Sequence, residues 1–195
     1  MKRIILLAAA LLTLGANAMA GNKNAPEPPK EGQHINWLSI DDLQVAMKAK
    51  PKKVYMDMYT DWCGWCKKME ASTFTNPDVI KYMNDNFYCV RFNAERKDTF
   101  RFMGTAYYFD PAKKANTLAV SLMKGSMTYP TSIIMEERYQ NPQPIPGYQD
   151  VKTMELILKY FGDNIYKSKQ WPDYQKEFKP TWIAADEANT PPPGH

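Results

Sequence analysis

Two cysteines three positions apart, Cys63 and Cys66, are the residues of this chain whose types and spacing best suit chemistry. Residues three apart on a helix share a face, so their sulfurs can meet and form a disulfide. A short apolar, partly β-branched and aromatic run, Val54 to Tyr59, precedes them and reads as a buried strand. Thr60-Asp61 makes a turn, and a helix follows through the pair to about Ala71. Cys63 then stands at a helix N-terminus, where unpaired N–H groups and the helix dipole favour its thiolate. The thiolate is the attacking species, so the placement makes Cys63 a nucleophile. Cys66 lies one turn deeper, is expected to be less exposed, and can resolve a mixed disulfide by attacking Cys63. The same spacing could supply half a zinc site, for which only Cys89, His34 and His195 remain as strong further ligands. A purely structural bridge over so short a loop would constrain little.

The surroundings of the pair favour redox use. Lys2 and Arg3, the apolar run Ile4 to Leu14 and the small residues Ala18 and Ala20 have the form of a secretory signal, expected to end at residue 20. Export leads to a compartment where disulfides persist. Yet the chain has only three cysteines, so its fold does not depend on a disulfide framework. Without Lys2 and Arg3, 23 basic residues face 21 acidic ones. No basic stripe interleaved with aromatics is present, and nucleic-acid binding has no support.

The elements that must position the pair follow from patterning. Residues 21–34 read as a flexible arm, 35–183 as one folded domain and 184–195 as a disordered, Pro-rich tail. Ser39 caps a first helix that Pro51 ends. Asn76-Pro77 opens a helix running to about Asn86, and Phe87 to Phe92 is the next strand. Within an insert of about residues 96–127, Phe100–Phe102 and Tyr107–Phe109 read as a hairpin with Gly104 at its turn. Asn116 caps a helix closed by Gly125, Thr131 to Met135 is a strand, and Pro144 to Tyr148 is an edge strand. Asp150 caps an amphipathic helix ended by Gly162, and a short helix lies between Pro172 and Phe178. Strands alternating with helices, then paired strands, predict an α/β sandwich around a mixed sheet.

Asp57, Tyr59, Asp61, Trp62, Cys63-Gly64-Trp65-Cys66 and Lys67 closely resemble the thioredoxin active-site segment, and Tyr129-Pro130-Thr131 resembles the segment facing it. The resemblance covers about Ile35 to Phe161. It extends to secreted bacterial thioredoxin-like proteins and the thioredoxin-like domain of transmembrane disulfide reductases. It implies the three-layer thioredoxin-like sandwich, a central mixed β-sheet flanked by helices, with the insert before a cis-proline at Pro130. It also implies roles: Cys63 as nucleophile, Cys66 as resolving thiol, and Asp57 as a buried acid of raised pKa that moves a proton to and from Cys66. The backbone of Tyr129 would pair with an extended substrate, and Trp62, Gly64, Trp65 and Pro130 would line its path. The chain departs from thioredoxin in carrying Gly64-Trp65 where thioredoxin has Gly-Pro. That changes the helix start and the redox poise, so the motif leaves the direction of electron flow open.

The expected function is dithiol–disulfide exchange with exported protein substrates through a mixed disulfide, as a reductase or isomerase. Neither a metal nor an organic cofactor is required, since the cysteine pair carries two electrons. A reductase would draw those electrons from a membrane redox partner. The alternatives are a non-catalytic thioredoxin-like chaperone or assembly module, and a metal-handling protein using the pair. Cys89, inside an apolar strand, reads as a core residue. Trp171 and Trp182 are expected to anchor the C-terminal segment. The aromatic hairpin is expected near the pair, shaping partner choice.

Overall fold

A computed structural model describes residues 34–182. The expected signal segment, most of the arm and the Pro-rich tail lie outside the described residues. At the centre is β1 (Lys53–Tyr59), six of whose seven residues are buried. Burial of both side-chain sets means both faces of the sheet are covered. The strand order is β2-β1-β7-β8, with β2 at Phe87–Asn93, β7 at Thr131–Met135 and β8 at Gln143–Pro146. β1 runs parallel to β2 and antiparallel to β7, and β7 is antiparallel to β8. The sheet is therefore mixed, as expected.

Alternation along β1 divides the core. Val54, Met56 and Met58 join Leu43 and Met47 of α1 (Ile40–Ala49) and Leu118 and Ala119 of α4 (Thr117–Leu122). Tyr55, on the other face, joins Met69 of α2 (Gly64–Ser72), Val79, Ile80 and Met83 of α3 (Pro77–Asn86), and Met154 and Leu158 of α5 (Val151–Gly162). Cys89 is buried in this second layer as a free thiol. Side-chain caps start the helices where the sequence placed them: Ser39 accepts from Asp42 N–H, Asn76 from Asp78 and Val79, Asn116 from Leu118, and Asp150 from Thr153.

Three local readings change. The hairpin pairs β3 (Phe100–Phe102) with β4 (Thr105–Tyr107), so its second strand begins at Thr105 rather than Tyr107. Met103 and Gly104, both at positive φ, form a two-residue turn. A second small pairing follows, β5 (Phe109–Asp110) with β6 (Ala115–Asn116), and its short strands carry too little periodic signal to be read in advance. β8 stops at Pro146, because Gly147 at φ 95° turns the chain and takes Tyr148 out of the strand. The hairpin packs on α1, where Gln44 accepts from Met103 N–H and donates to the Arg101 carbonyl. Glu95, just before the insert, accepts the Trp62 indole N–H next to Cys63.

Beyond α5 the chain turns through a 3-10 helix into α6 (Trp171–Glu177), which begins one residue earlier than read. Tyr160, Tyr174 and Leu156 form a small aromatic layer there, with Trp171 at its edge. Glu155, fully buried, accepts from the backbone N–H of Thr181 and Trp182 and from the Thr181 hydroxyl, and pairs with Lys159. Trp182 then packs against Tyr82 of α3. Trp171 and Trp182 thus hold the C-terminal segment to the domain.

Candidate active site

Cys63 is the N-cap of α2, directly after the turn that leaves β1. Its extended φ/ψ lets its sulfur accept the N–H of Cys66 at 3.0 Å, the place a capping oxygen would take. One turn of helix brings the Cα atoms to 5.3 Å, and Cys63 and Cys66 are joined as a disulfide. The two are almost equally covered, 4% and 3% exposed, so the expected difference in exposure is not seen in this oxidised pair. Their neighbours differ sharply: Trp62 is 66% exposed and Trp65 57%. A Cβ added at Gly64 would meet nothing, so the backbone between the indoles is open to an approaching chain.

Trp62 stands edge-on to Tyr129 at 5.9 Å, and its indole N–H donates to Glu95 at 3.1 Å. Trp65 lies against Tyr148 at 5.4 Å, with the Lys68 ammonium 4.9 Å from the Trp65 ring and 5.4 Å from the Tyr148 ring. The Tyr129–Pro130 peptide is cis, and Pro130 is buried. Among the described residues, neither the N–H nor the C=O of Tyr129 has a backbone partner outside the strand ladders, and β7 begins only at Thr131. The Pro130 carbonyl is taken by Gly147 N–H at 2.8 Å.

Asp57 is 1% exposed on the sheet face shared with Tyr55. Burial raises its carboxyl to about 7. The Arg91 guanidinium pulls against that rise, and Glu70 adds to it. Arg91, opposite Asp57 in the parallel β1–β2 register, donates from Nε to Asp57 Oδ2 at 3.4 Å. Its other nitrogens bind Glu70 on α2, the nearer pair at 2.5 Å. Glu70 is four residues after Cys66 and so shares its helix face. The second Asp57 oxygen, Oδ1, is buried without a hydrogen-bond partner. Arg91 thus ties the buried acid to the cysteine helix.

Arg91, Glu70, Glu95 and Tyr148 were not read as site residues from the sequence. Parallel strand register brings Arg91 to Asp57, and the turn at Gly147 brings Tyr148 to Trp65. The spacing of Glu70 after Cys66 was visible and could have flagged it. Among the described residues, no three metal-ligating side chains cluster. The Cys89 thiol is fully buried, and that burial pushes its pKa up, with Lys52 opposing the shift. It has no place in exchange chemistry.

The thiol:disulfide interchange protein DsbD of Escherichia coli K12 is 38% identical over 87 residues, covering 43% of this chain and 15% of DsbD. DsbD of Salmonella typhimurium is 38% identical over 89 residues, with the same shares. The chain therefore spans only a small part of these relatives' length. Among solved structures, a thioredoxin-fold protein from Helicobacter pylori has a TM-score of 0.49 at 16% identity, covering 65% of this chain and 79% of that one. The C-terminal domain of Neisseria meningitidis DsbD in the reduced form has a TM-score of 0.41 at 21% identity, covering 66% and 98%. The thioredoxin-like domain family matches residues 40–162, a span holding the whole sheet, the cysteine pair, Asp57 and Pro130. The chain belongs to that family of thioredoxin-like domains.

Proposed function

We propose that the protein reduces or isomerises disulfides of exported proteins, with Cys63 as nucleophile and Cys66 as resolving thiol. The observation that carries this reading is the Cys63 sulfur at the N-cap of α2, accepting the Cys66 N–H while bonded to the Cys66 sulfur. The same N–H stabilises a Cys63 thiolate once the pair is reduced.

In the reduced protein, the Cys63 thiolate attacks one sulfur of a substrate disulfide. That bond breaks, the other substrate sulfur leaves as a thiolate, and a mixed disulfide forms. Cys66 then loses its proton and attacks the Cys63 sulfur, releasing the second substrate thiolate and closing the Cys63–Cys66 bond. Two electrons pass to the substrate. Asp57 has the burial and raised pKa to take the Cys66 proton and return it in the reverse direction. The unpaired backbone of Tyr129 offers an extended substrate a donor and an acceptor beside Pro130. The form with the bridge closed is the product of reduction, and a donor dithiol, here proposed to be a membrane redox partner, must reopen it. The exported setting rests on the signal-like residues 1–20 and on the likeness to DsbD.

Cys66→Ser tests the order of events. It should hold partners as mixed disulfides on Cys63, visible as reductant-sensitive adducts on gels and by mass spectrometry. Cys63→Ser should form none. Full function of the Cys63→Ser/Cys66→Ser double variant in vivo overturns the enzymatic reading in favour of a non-catalytic binding module. The couple's potential sets direction: about −270 mV fits a reductase and about −120 mV an oxidant.

A further inference from the structure

The disulfide sits between two aromatic pairs of opposite electrostatic character. On one side Trp62 and Tyr129 meet Glu95. On the other, Trp65 and Tyr148 share the Lys68 ammonium, which lies within cation–π range of both rings. Tyr148 is not left there by chance packing. The Gly147 N–H bonds the Pro130 carbonyl, Gly147 takes a φ of 95°, and the Tyr148 hydroxyl meets Ser72 Oγ at 3.1 Å. The ring is thus fixed from the cis-proline segment at its base and from the end of α2 at its tip. Trp65, more than half exposed, gains a rigid wall that nothing in the Cys63–Cys66 segment itself would supply.

We propose that Trp65, Lys68 and Tyr148 form a preset ledge that selects substrates by the residues flanking their reacting cysteine, with Tyr148 determining specificity. The ledge takes an aromatic or large aliphatic side chain against its rings, with a carboxylate neighbour facing Lys68. Edge and stacking contacts between rings favour such a side chain, and a rigid wall costs little entropy on binding. Tyr148 touches neither sulfur of the pair in the hydrogen-bond pattern and takes no part in the exchange itself. The inference rests on the proposed exchange chemistry and names the substrates it prefers.

The test compares three disulfides with the reduced full-length protein: a cystine peptide with Phe-Glu flanking one half-cystine, the same peptide with Gly-Ser there, and bis(2-hydroxyethyl) disulfide. Wild type should favour the Phe-Glu peptide by about three- to tenfold in kcat/KM, mostly through KM. Tyr148→Ala should erase that preference. Rates with the small disulfide and the reduction potential should stay within about twofold of wild type, since no transition-state contact to the reacting sulfurs is removed. Tyr148→Phe keeps the ring, loses the Ser72 contact, and should keep the preference. Lys68→Glu should reverse the acidic preference, so that a fourth disulfide, the same peptide with Phe-Lys, becomes the better substrate. A preference that survives Tyr148→Ala overturns the ledge, as does an equal loss on all three disulfides, which would make Tyr148 a support of the redox centre. If Tyr148→Ala does not fold, Tyr148→Leu, which retains apolar bulk without a ring, must lose most of the Phe-Glu preference. Wild type inactive even toward bis(2-hydroxyethyl) disulfide is a different failure: it removes the exchange chemistry, and the ledge falls with it.

Discussion

Asp57 is an acid held where its charge is costly. Burial lifts its carboxyl to about 7 against the pull of Arg91, while an unfolded aspartate titrates near ~3.9. The folded state therefore binds the proton more tightly than the unfolded chain. Stability is greatest below about pH 4, falls as pH rises toward 7, and is level above that. Over that window the oxidised wild type should lose about 3–4 kcal/mol relative to Asp57→Asn, which cannot titrate there. Urea denaturation of both proteins from pH 3 to pH 8 measures it, and parallel curves would show that Asp57 ionises normally. Arg91→Met removes the pull that lowers Asp57 and should extend the falling part of the curve beyond pH 7. Asp57 thus exchanges its proton near neutral pH on the sheet face that α2 covers, and the N-cap of α2 is the Cys63 sulfur.

At the scale of elements, two glycines do work that their neighbours depend on. Gly147 supplies the positive φ that ends β8 and turns Tyr148 toward Trp65. Gly162, read from the sequence as a helix terminator, is the last residue of α5, and its role there is one of space. A Cβ at that position would collide with the ring and hydroxyl of Tyr82, which crosses from α3 to bond Asp163. Gly162→Ala should cost about 1–3 kcal/mol by forcing α3 and α5 apart. Its denaturation midpoint should fall without a change in disulfide-exchange rate, because the contact is at the C-terminal end of α5, whereas Tyr148, which meets Trp65, lies just before its N-terminal end. Tyr82→Ala in the same background should recover the loss of the Gly162→Ala change, and a double-mutant cycle reads that coupling.

The described residues form a thioredoxin-like domain with a segment that continues past the family match at residue 162 and packs on α5. Glu155 is the clasp: a buried carboxylate receiving two backbone N–H groups, a hydroxyl and an ammonium. Glu155→Ala strands those donors and should destabilise the protein by about 2–4 kcal/mol. Because the clasp holds only the last described turn and Trp182, its loss should expose the segment first. Limited trypsin digestion should then cut after Lys176 well before the domain is degraded, while exchange activity is retained. Cleavage kinetics equal to wild type would mean that the packing of Trp171, Tyr174 and Trp182 holds the segment without the clasp.

Much of this protein was legible from one sequence because the signals were local. Caps, proline positions and apolar periodicity report the helix starts, and the spacing of Cys63 and Cys66 reports the disulfide, since both depend on residues within a turn of one another. The order of strands and helices was enough to predict a mixed sheet between two helical layers. What lay beyond reach depends on pairing across distance. The register of β1 on β2 sets Arg91 against Asp57. Within the insert, the bounds of the hairpin's second strand and the whole β5–β6 pairing are too brief to carry a period. The tertiary approach of Gly147 to Pro130 puts Tyr148 beside Trp65. The cysteine pair and its ability to close as a disulfide were determined by the sequence. The charge that tunes Asp57 and the ring that walls Trp65 were decided only when the sheet assembled, because each comes from a residue far along the chain.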